Sequence, residues 1–258
     1  MDEMTNETVV DGRLLRARVF GMIILILLAV LSYAAWQIYS EGARDRRLAQ
    51  AIKDAGGDIG FRFSGPEWTP QNVRNNAHFL EVIDKIDLSG RLIADETLVN
   101  VAQLDSVTEL ILDRTGLTDE QLSLIHDMSS LKQLSLNDTK VTDAGLIHLE
   151  KLCRLELLDL RHTAVTCAGL RHICKLSRLK ELILGDTEVG DEGLIALTAL
   201  KYLEILDLRH THVTDLGIED LSGMTSLKQL FVAHAETTRA GRMLVRQTLA
   251  DCTITPDP

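Results

Sequence analysis

One spacing constrains this chain more than any other feature. Ile83, Val107, Leu131, Leu155, Leu179, Leu203 and Leu227 follow one another at intervals of 24 residues. A fixed period of that length marks a stack of supersecondary units rather than one irregular core. Seven units counted from Ile83 end at residue 250, and with a short lead-in the repeat region is 79–250. The third unit is LKQLSLNDTKVTDAGLIHLEKLCR and the fifth LKELILGDTEVGDEGLIALTALKY. Their shared frame is L-x-x-L-x-L-x-x-T-x-V-T-D-x-G-L-x-x-L-x-x-L. Aromatic residues make up only 4% of the chain, so the core is aliphatic.

Each unit carries two hydrophobic periods. With the seven spaced residues as position 1, positions 4 and 6 (Leu134 and Leu136, for example) alternate as in a strand buried on one face. Positions 16, 19 and 22, such as Leu146, Leu149 and Leu152, recur at helical spacing. Between them, Thr142-Asp143 and Thr214-Asp215 supply helix N-cap chemistry, and Thr118 with Gln121 fits a capping box. One unit is therefore a strand, a turn and a short helix, and it buries its leucines only by stacking. The expected fold is α/β: a right-handed solenoid with seven parallel strands on its concave face and helices on its convex face. Threonine fills position 9 in five consecutive units, Thr115, Thr139, Thr163, Thr187 and Thr211, where a hydroxyl suits pairing with turn backbone groups. Arg91 and Ala235 stand there in the end units, and Arg242 replaces the leucine of position 16 in the last, as suits caps facing water.

The frame T-x-V-T-D-x-G-L, at Thr139–Leu146 and at Thr163–Leu170 with Cys167 in place of aspartate, resembles leucine-rich-repeat proteins. Together with Gly56-Gly57 before a short strand and the closing Leu249–Ile254, it is similar to the membrane-anchored or exported members abundant in planctomycete bacteria. The resemblance covers roughly residues 48–254. It implies the fold and says little about function, because a fold hosts many functions.

Before the repeats, Val19–Tyr39 is a run of 21 residues without a charge, long enough to cross a bilayer as a helix. Tyr33, Trp36 and Tyr39 gather toward one end, where amphipathic rings favour the interface. The sequence thus predicts an N-terminal tail (1–18), one transmembrane helix (19–39), a juxtamembrane helix and cap (40–78), the repeats (79–250) and a tail (251–258). A cleaved signal peptide ending near Ala34 and a buried core helix are the alternatives for the apolar run. Three arginines flank each side of it, so charge gives no orientation. A short N-terminal tail stays in the cytoplasm most easily, which favours a single-pass membrane protein with the repeats on the exported side. Ile59, Phe61, Phe63, Trp68 and Phe79 are the expected apolar cap over the first rung.

The formal charge of −11 falls entirely on the C-terminal part. Residues 1–78 carry 9 acidic and 9 basic side chains, and residues 79–258 carry 29 and 18. Such a surface repels phosphate backbones and argues against nucleic acid as a partner. Cys153, Cys167, Cys174 and Cys252 include no C-x-x-C pair and are expected as small buried residues.

Positions 3, 5, 7 and 8 are expected to face the concave surface. Leu157, Ile183, Ile205 and Phe231 alternate there between positions 3 and 5, forming an apolar zigzag. Asp159 and Asp207 lie on the complementary zigzag, Arg161 and Arg209 at position 7, and His162, His210 and His234 at position 8. Units four and six differ at only two of their first twelve positions, which a duplication of two units explains, with Arg161 then simply paired to Asp159 and Arg209 to Asp207. Apolar anchors rimmed by arginine and carboxylate otherwise suit a protein interface. The leading expectation is a membrane-anchored, non-enzymatic module that binds a protein, or a glycan, on the concave face, without a cofactor. A structural or envelope-organising protein is the alternative. A metal-dependent hydrolase is the third reading, suggested by histidines beside carboxylates, but His162 and His210 stand two rungs, ~10 Å, apart, which is far for shared coordination. No phosphate-cradling glycine motif or activated nucleophile is present.

Overall fold

The computed structural model describes residues 28–30, 32–33, 42–63 and 81–255. The chain divides into two units, Met1–Arg47 and Leu48–Pro258. In the first, residues 28–30, 32–33 and 42–47 are helical. Among the described residues no helix is long and apolar enough to cross a membrane. The expected span, 19–39, lies almost wholly outside them, as do Trp68 and Phe79 of the expected cap.

The second unit is built on one nine-stranded sheet whose strands lie in chain order. β1 (Asp58–Phe63) pairs antiparallel with β2 (Glu81–Asp87). From β2 on, every pairing is parallel: β3 (Glu109–Ile111), β4 (Gln133–Ser135), β5 (Leu157–Asp159), β6 (Glu181–Ile183), β7 (Ile205–Asp207), β8 (Gln229–Phe231) and β9 (Thr253–Thr255). The register is the repeat itself. Leu110, Leu134, Leu158, Leu182, Leu206 and Leu230 stand side by side, and Ile254 continues the row. β9 makes eight parallel strands where seven were expected. It comes from the tail, where three residues were too few to carry an alternating signal.

Helices return the chain on the other face: α1 (Asp95–Ala102), α2 (Asp119–Leu122), α3 (Asp143–Leu146), α4 (Cys167–Ile173), α5 (Asp191–Leu197), α6 (Asp215–Asp220) and α7 (Arg239–Thr248). Three of them, α2, α3 and α6, run on as a 3-10 turn. Between sheet and helices lies a core of stacked leucines, and Leu134, Leu136, Leu146, Leu149 and Leu152 are all buried as the two periods require. At ~0.8 kcal/mol per buried methylene, these layers are the main stabilising term.

Three sets of polar contacts recur along the stack, and the third ties rung to rung. The buried threonines of position 9 donate their hydroxyls to the carbonyl three residues back, as Thr139 Oγ1 does to Leu136 at 2.7 Å and Thr163 to Leu160 at 2.6 Å. At the N-caps, Thr142 Oγ1 accepts the N–H of Ala144, and Thr118 with Gln121 forms the capping box. Aspartates that follow the N-caps of α2, α3, α5 and α6 reach the next rung. Asp119 accepts both the N–H (2.8 Å) and the hydroxyl (2.7 Å) of Thr142, and Asp143, Asp191 and Asp215 do the same for Thr166, Thr214 and Thr238. That contact brings the carboxylate against the glycine of position 15. A Cβ on Gly217 would stand 2.2 Å from Asp191 Oδ1, so the glycine is required by close approach.

At the N-terminal edge residues 48–54 are helical and bury Ala49 and Ile52, and Ile59 is buried on β1. Phe61 departs from the expected cap: it is exposed, with the Lys53 ammonium 5.6 Å from its ring centroid. A bulge between Gly60 and Phe61 shifts the register and breaks the alternation assumed for this strand. Of the four cysteines, all free, only Cys252 is buried, while Cys153 is exposed and Cys167 and Cys174 are half-buried.

Candidate binding surface on the sheet

Strand register decides which candidate residues meet. Leu157, Glu181, Ile205 and Gln229 form one row across the sheet, and Asp159, Ile183, Asp207 and Phe231 the next. The apolar members thus alternate between rows on successive rungs, the zigzag expected from the sequence. Leu157, Ile183, Ile205 and Phe231 are each half-buried. β9 places Thr255 beside Phe231 and does not cover it. The Arg209 guanidinium lies 5.6 Å from the Phe231 ring centroid, a cation–π distance.

The two acids differ from the exposed carboxylates the sequence suggested. Asp159 is 4% exposed and Asp207 3%. Each is held by the arginine two residues on. Arg161 donates from Nε at 3.0 Å and Nη2 at 2.5 Å to Asp159, and Arg209 from Nε at 2.9 Å and Nη2 at 2.6 Å to Asp207. The backbone N–H of each arginine also donates to the same carboxylate, at 3.0 Å in both rungs. The clamp raises each arginine above its ordinary pKa, chiefly through the hydrogen bond to its aspartate. In each clamp the guanidinium is the exposed member: the Arg161 and Arg209 side chains are 38% and 45% exposed, and the side chains of Asp159 and Asp207 only 5%.

The histidines have a backbone reason for their place. His162, His210 and His234 have φ of 52°, 56° and 60°. Arg114, Asp138 and Asp186 share that conformation in the neighbouring rungs, and Gly90 in the first. Position 8 is thus a left-handed turn residue at every rung, not a strand position. Histidine and aspartate tolerate that region better than most residues. All three histidines are exposed. His210 and His234 stack with ring centroids 4.5 Å apart, and His162 Nε2 stands 3.7 Å from Asp186 Oδ2.

Between the two clamps, position 7 is Gly185. The missing side chain leaves a cleft of about 210 Å³ lined by Arg161, His162, Gly185, Asp186, Arg209 and His210. A wider depression of about 720 Å³ shares His162, Asp186 and His210 and extends over Ala164 to Lys140, Glu188 and His212. Sequence reasoning did not single out Gly185 or Asp186. The signal was present in the alternation of position 7, where glycine interrupts two arginines. Among the described residues no three His, Cys, Asp or Glu side chains converge to hold a metal ion.

The Leucine Rich repeat family matches residues 127–149, 176–197 and 199–222. The solenoid is built of leucine-rich repeats. No curated protein matches the chain by sequence. Among solved structures it is similar to an internalin C2 of Listeria monocytogenes, at 20% identity and a TM-score of 0.56 over 82% of this chain and 93% of that one. It is also similar to an internalin (inlF) of the same organism, at 22% identity and a TM-score of 0.52 over 60% of this chain. There it spans 43% of the other chain's length. At these identities the likeness is one of fold.

Proposed function

We propose that this leucine-rich-repeat chain is a non-enzymatic binding module that engages a protein partner on the exposed face of its sheet, across β5 to β8. One observation carries the reading. Ile183, Ile205 and Phe231 are held half-exposed beside two guanidiniums whose counter-charges are buried. A folding chain gains nothing by leaving such apolar side chains toward water, whereas aromatic, aliphatic and arginine anchors carry most interface energy. A stacked sheet supplies the extended surface. The same proposal includes a membrane tether at residues 19–39, supported by their 21 uncharged residues.

Photo-cross-linking tests the reading. A photoreactive side chain at Ile205 of the full chain, in its native membranes, is expected to capture a defined protein. The same group at Leu216, exposed on α6, is expected not to capture it. Capture at Leu216 and not at Ile205 would move the interface to the helices. Carbonate washing tests the tether: the chain stays in the membrane pellet if 19–39 spans the bilayer, and its release would exclude a spanning helix.

A further inference from the structure

The cleft over Gly185 has the chemistry of a subsite. Its two walls are guanidiniums that cannot rotate freely, because each is pinned by two side-chain donors and its own backbone N–H on one buried aspartate. Nη1 of Arg161 and of Arg209 makes no hydrogen bond among the described residues. Each wall therefore offers unused N–H donors in a fixed plane, and their immobility lowers the entropy cost of binding. The formal charge of each clamp is zero, but its accessible atoms are not neutral in character. Asp159 and Asp207 are too buried to meet a partner, so of each clamp a ligand meets the donor side. Asp186, the one acid lining the cleft, is 40% exposed, with Oδ2 3.7 Å from His162 Nε2, so the guanidinium donors and not the net charge of the lining favour an anion. Ile183 and Ile205 lie on the strands that carry the floor and one wall.

We propose that this cleft is a carboxylate subsite: it receives an aspartate or glutamate side chain from a protein segment lying along the sheet face, with guanidinium on either side and Ile183, Ile205 and Phe231 taking the segment's apolar residues. The proposal rests on the sheet-face reading above. Donor geometry selects the occupant, since fork-shaped guanidinium donors match a planar carboxylate. Other units carry Ser89, Asp113, Asn137 and Ala233 at position 7, so the stack accepts a side chain there. At Gly185 a Cβ would meet only ordinary contacts, 3.4 Å to the Arg209 carbonyl and 3.5 Å to Arg161 Cγ. Gly185→Leu is therefore expected to fill the cleft with both clamps in place.

The test selects binders to the full chain in detergent from a random nonapeptide library capped at both ends, so that no terminal carboxylate takes part. The selected peptides are expected to carry an acidic residue at a fixed place. Replacing it with its amide should weaken binding at least tenfold. Gly185→Leu and the neutral pair Asp207→Asn/Arg209→Gln should each do the same, with unchanged melting for Gly185→Leu. Phe231→Ala should weaken acidic and amide peptides alike. Peptides that bind equally as acid and amide, or that select lysine, overturn the subsite; if Phe231→Ala still weakens them, the sheet-face reading stands without it. Peptides indifferent to all three variants, or no selected peptide at all, overturn both.

Discussion

Cys167 Sγ accepts the backbone N–H of Gly190 at 3.2 Å, where the neighbouring rungs pair an aspartate with a threonine. Both partners of this one contact have changed together. The thiol takes over the N–H bond, and the hydroxyl bond is absent because Gly190 has none to give. Gly190 also leaves α5 as the one helix of the four from α3 to α6 without a side-chain N-cap.

Restoring the pair should therefore be cooperative. Gly190→Thr has room, its Cβ 3.7 Å from the nearest atom, and should gain a few tenths of a kcal/mol as a better N-cap. Cys167→Asp alone should be near neutral. Together they complete the ladder, and a double-mutant cycle in urea should show a favourable coupling of about 1 kcal/mol. Strict additivity would mean that the ladder contributes nothing.

The same ladder makes glycine at position 15 costly to change. Gly217→Ala presses a methyl onto the Asp191 carboxylate and should destabilise by about 1–3 kcal/mol. Gly223→Ala, with nothing within 4 Å, should be neutral or slightly stabilising. Equal melting temperatures for the two variants would refute the close-approach account.

The leucine layers were legible because 24-residue periodicity states them seven times, and Leu182, buried between equivalent leucines, is placed by sequence alone. The Asp–Thr contacts were not legible. Thr142-Asp143 reads as local N-cap chemistry, and only stacking shows that Asp143 serves Thr166, 23 residues on. Position 8 misled for a related reason. Glycine there would have announced a left-handed turn, but Gly90 is followed by Arg114, Asp138 and His162, which read as presented side chains. Asp159 and Asp207 were paired correctly with their arginines, yet their burial depends on how the guanidinium folds over them.

The turn account gives its own test. His210→Val places a β-branched residue at φ 56° and should cost about 1–2 kcal/mol, although the site is exposed. His210→Asn should stay within about 0.5 kcal/mol of the parent. Thermal melts of the two compare them directly, and a harmless valine would contradict the strain.

Burial pushes the Cys252 thiol up to about 11. At pH 8 the folded chain should alkylate Cys153 first and Cys252 last, with the difference lost in denaturant. The folded state also holds this proton where the unfolded thiol has lost it, so the linked stability should fall as pH rises from about 9 to 11. Native alkylation of Cys252 at the rate of Cys153 would contradict the burial of Cys252.

The most direct measurement of the sheet-face account is the affinity of the full chain for the protein captured at Ile205, wild type against Phe231→Ala, with melting temperature recorded for both. Phe231 is half-buried and stacked under Arg209, so its loss should leave the melt nearly unchanged. The account predicts binding weakened at least fivefold, about 1 kcal/mol or more. Unchanged affinity, or the absence of any protein captured at Ile205, would contradict it.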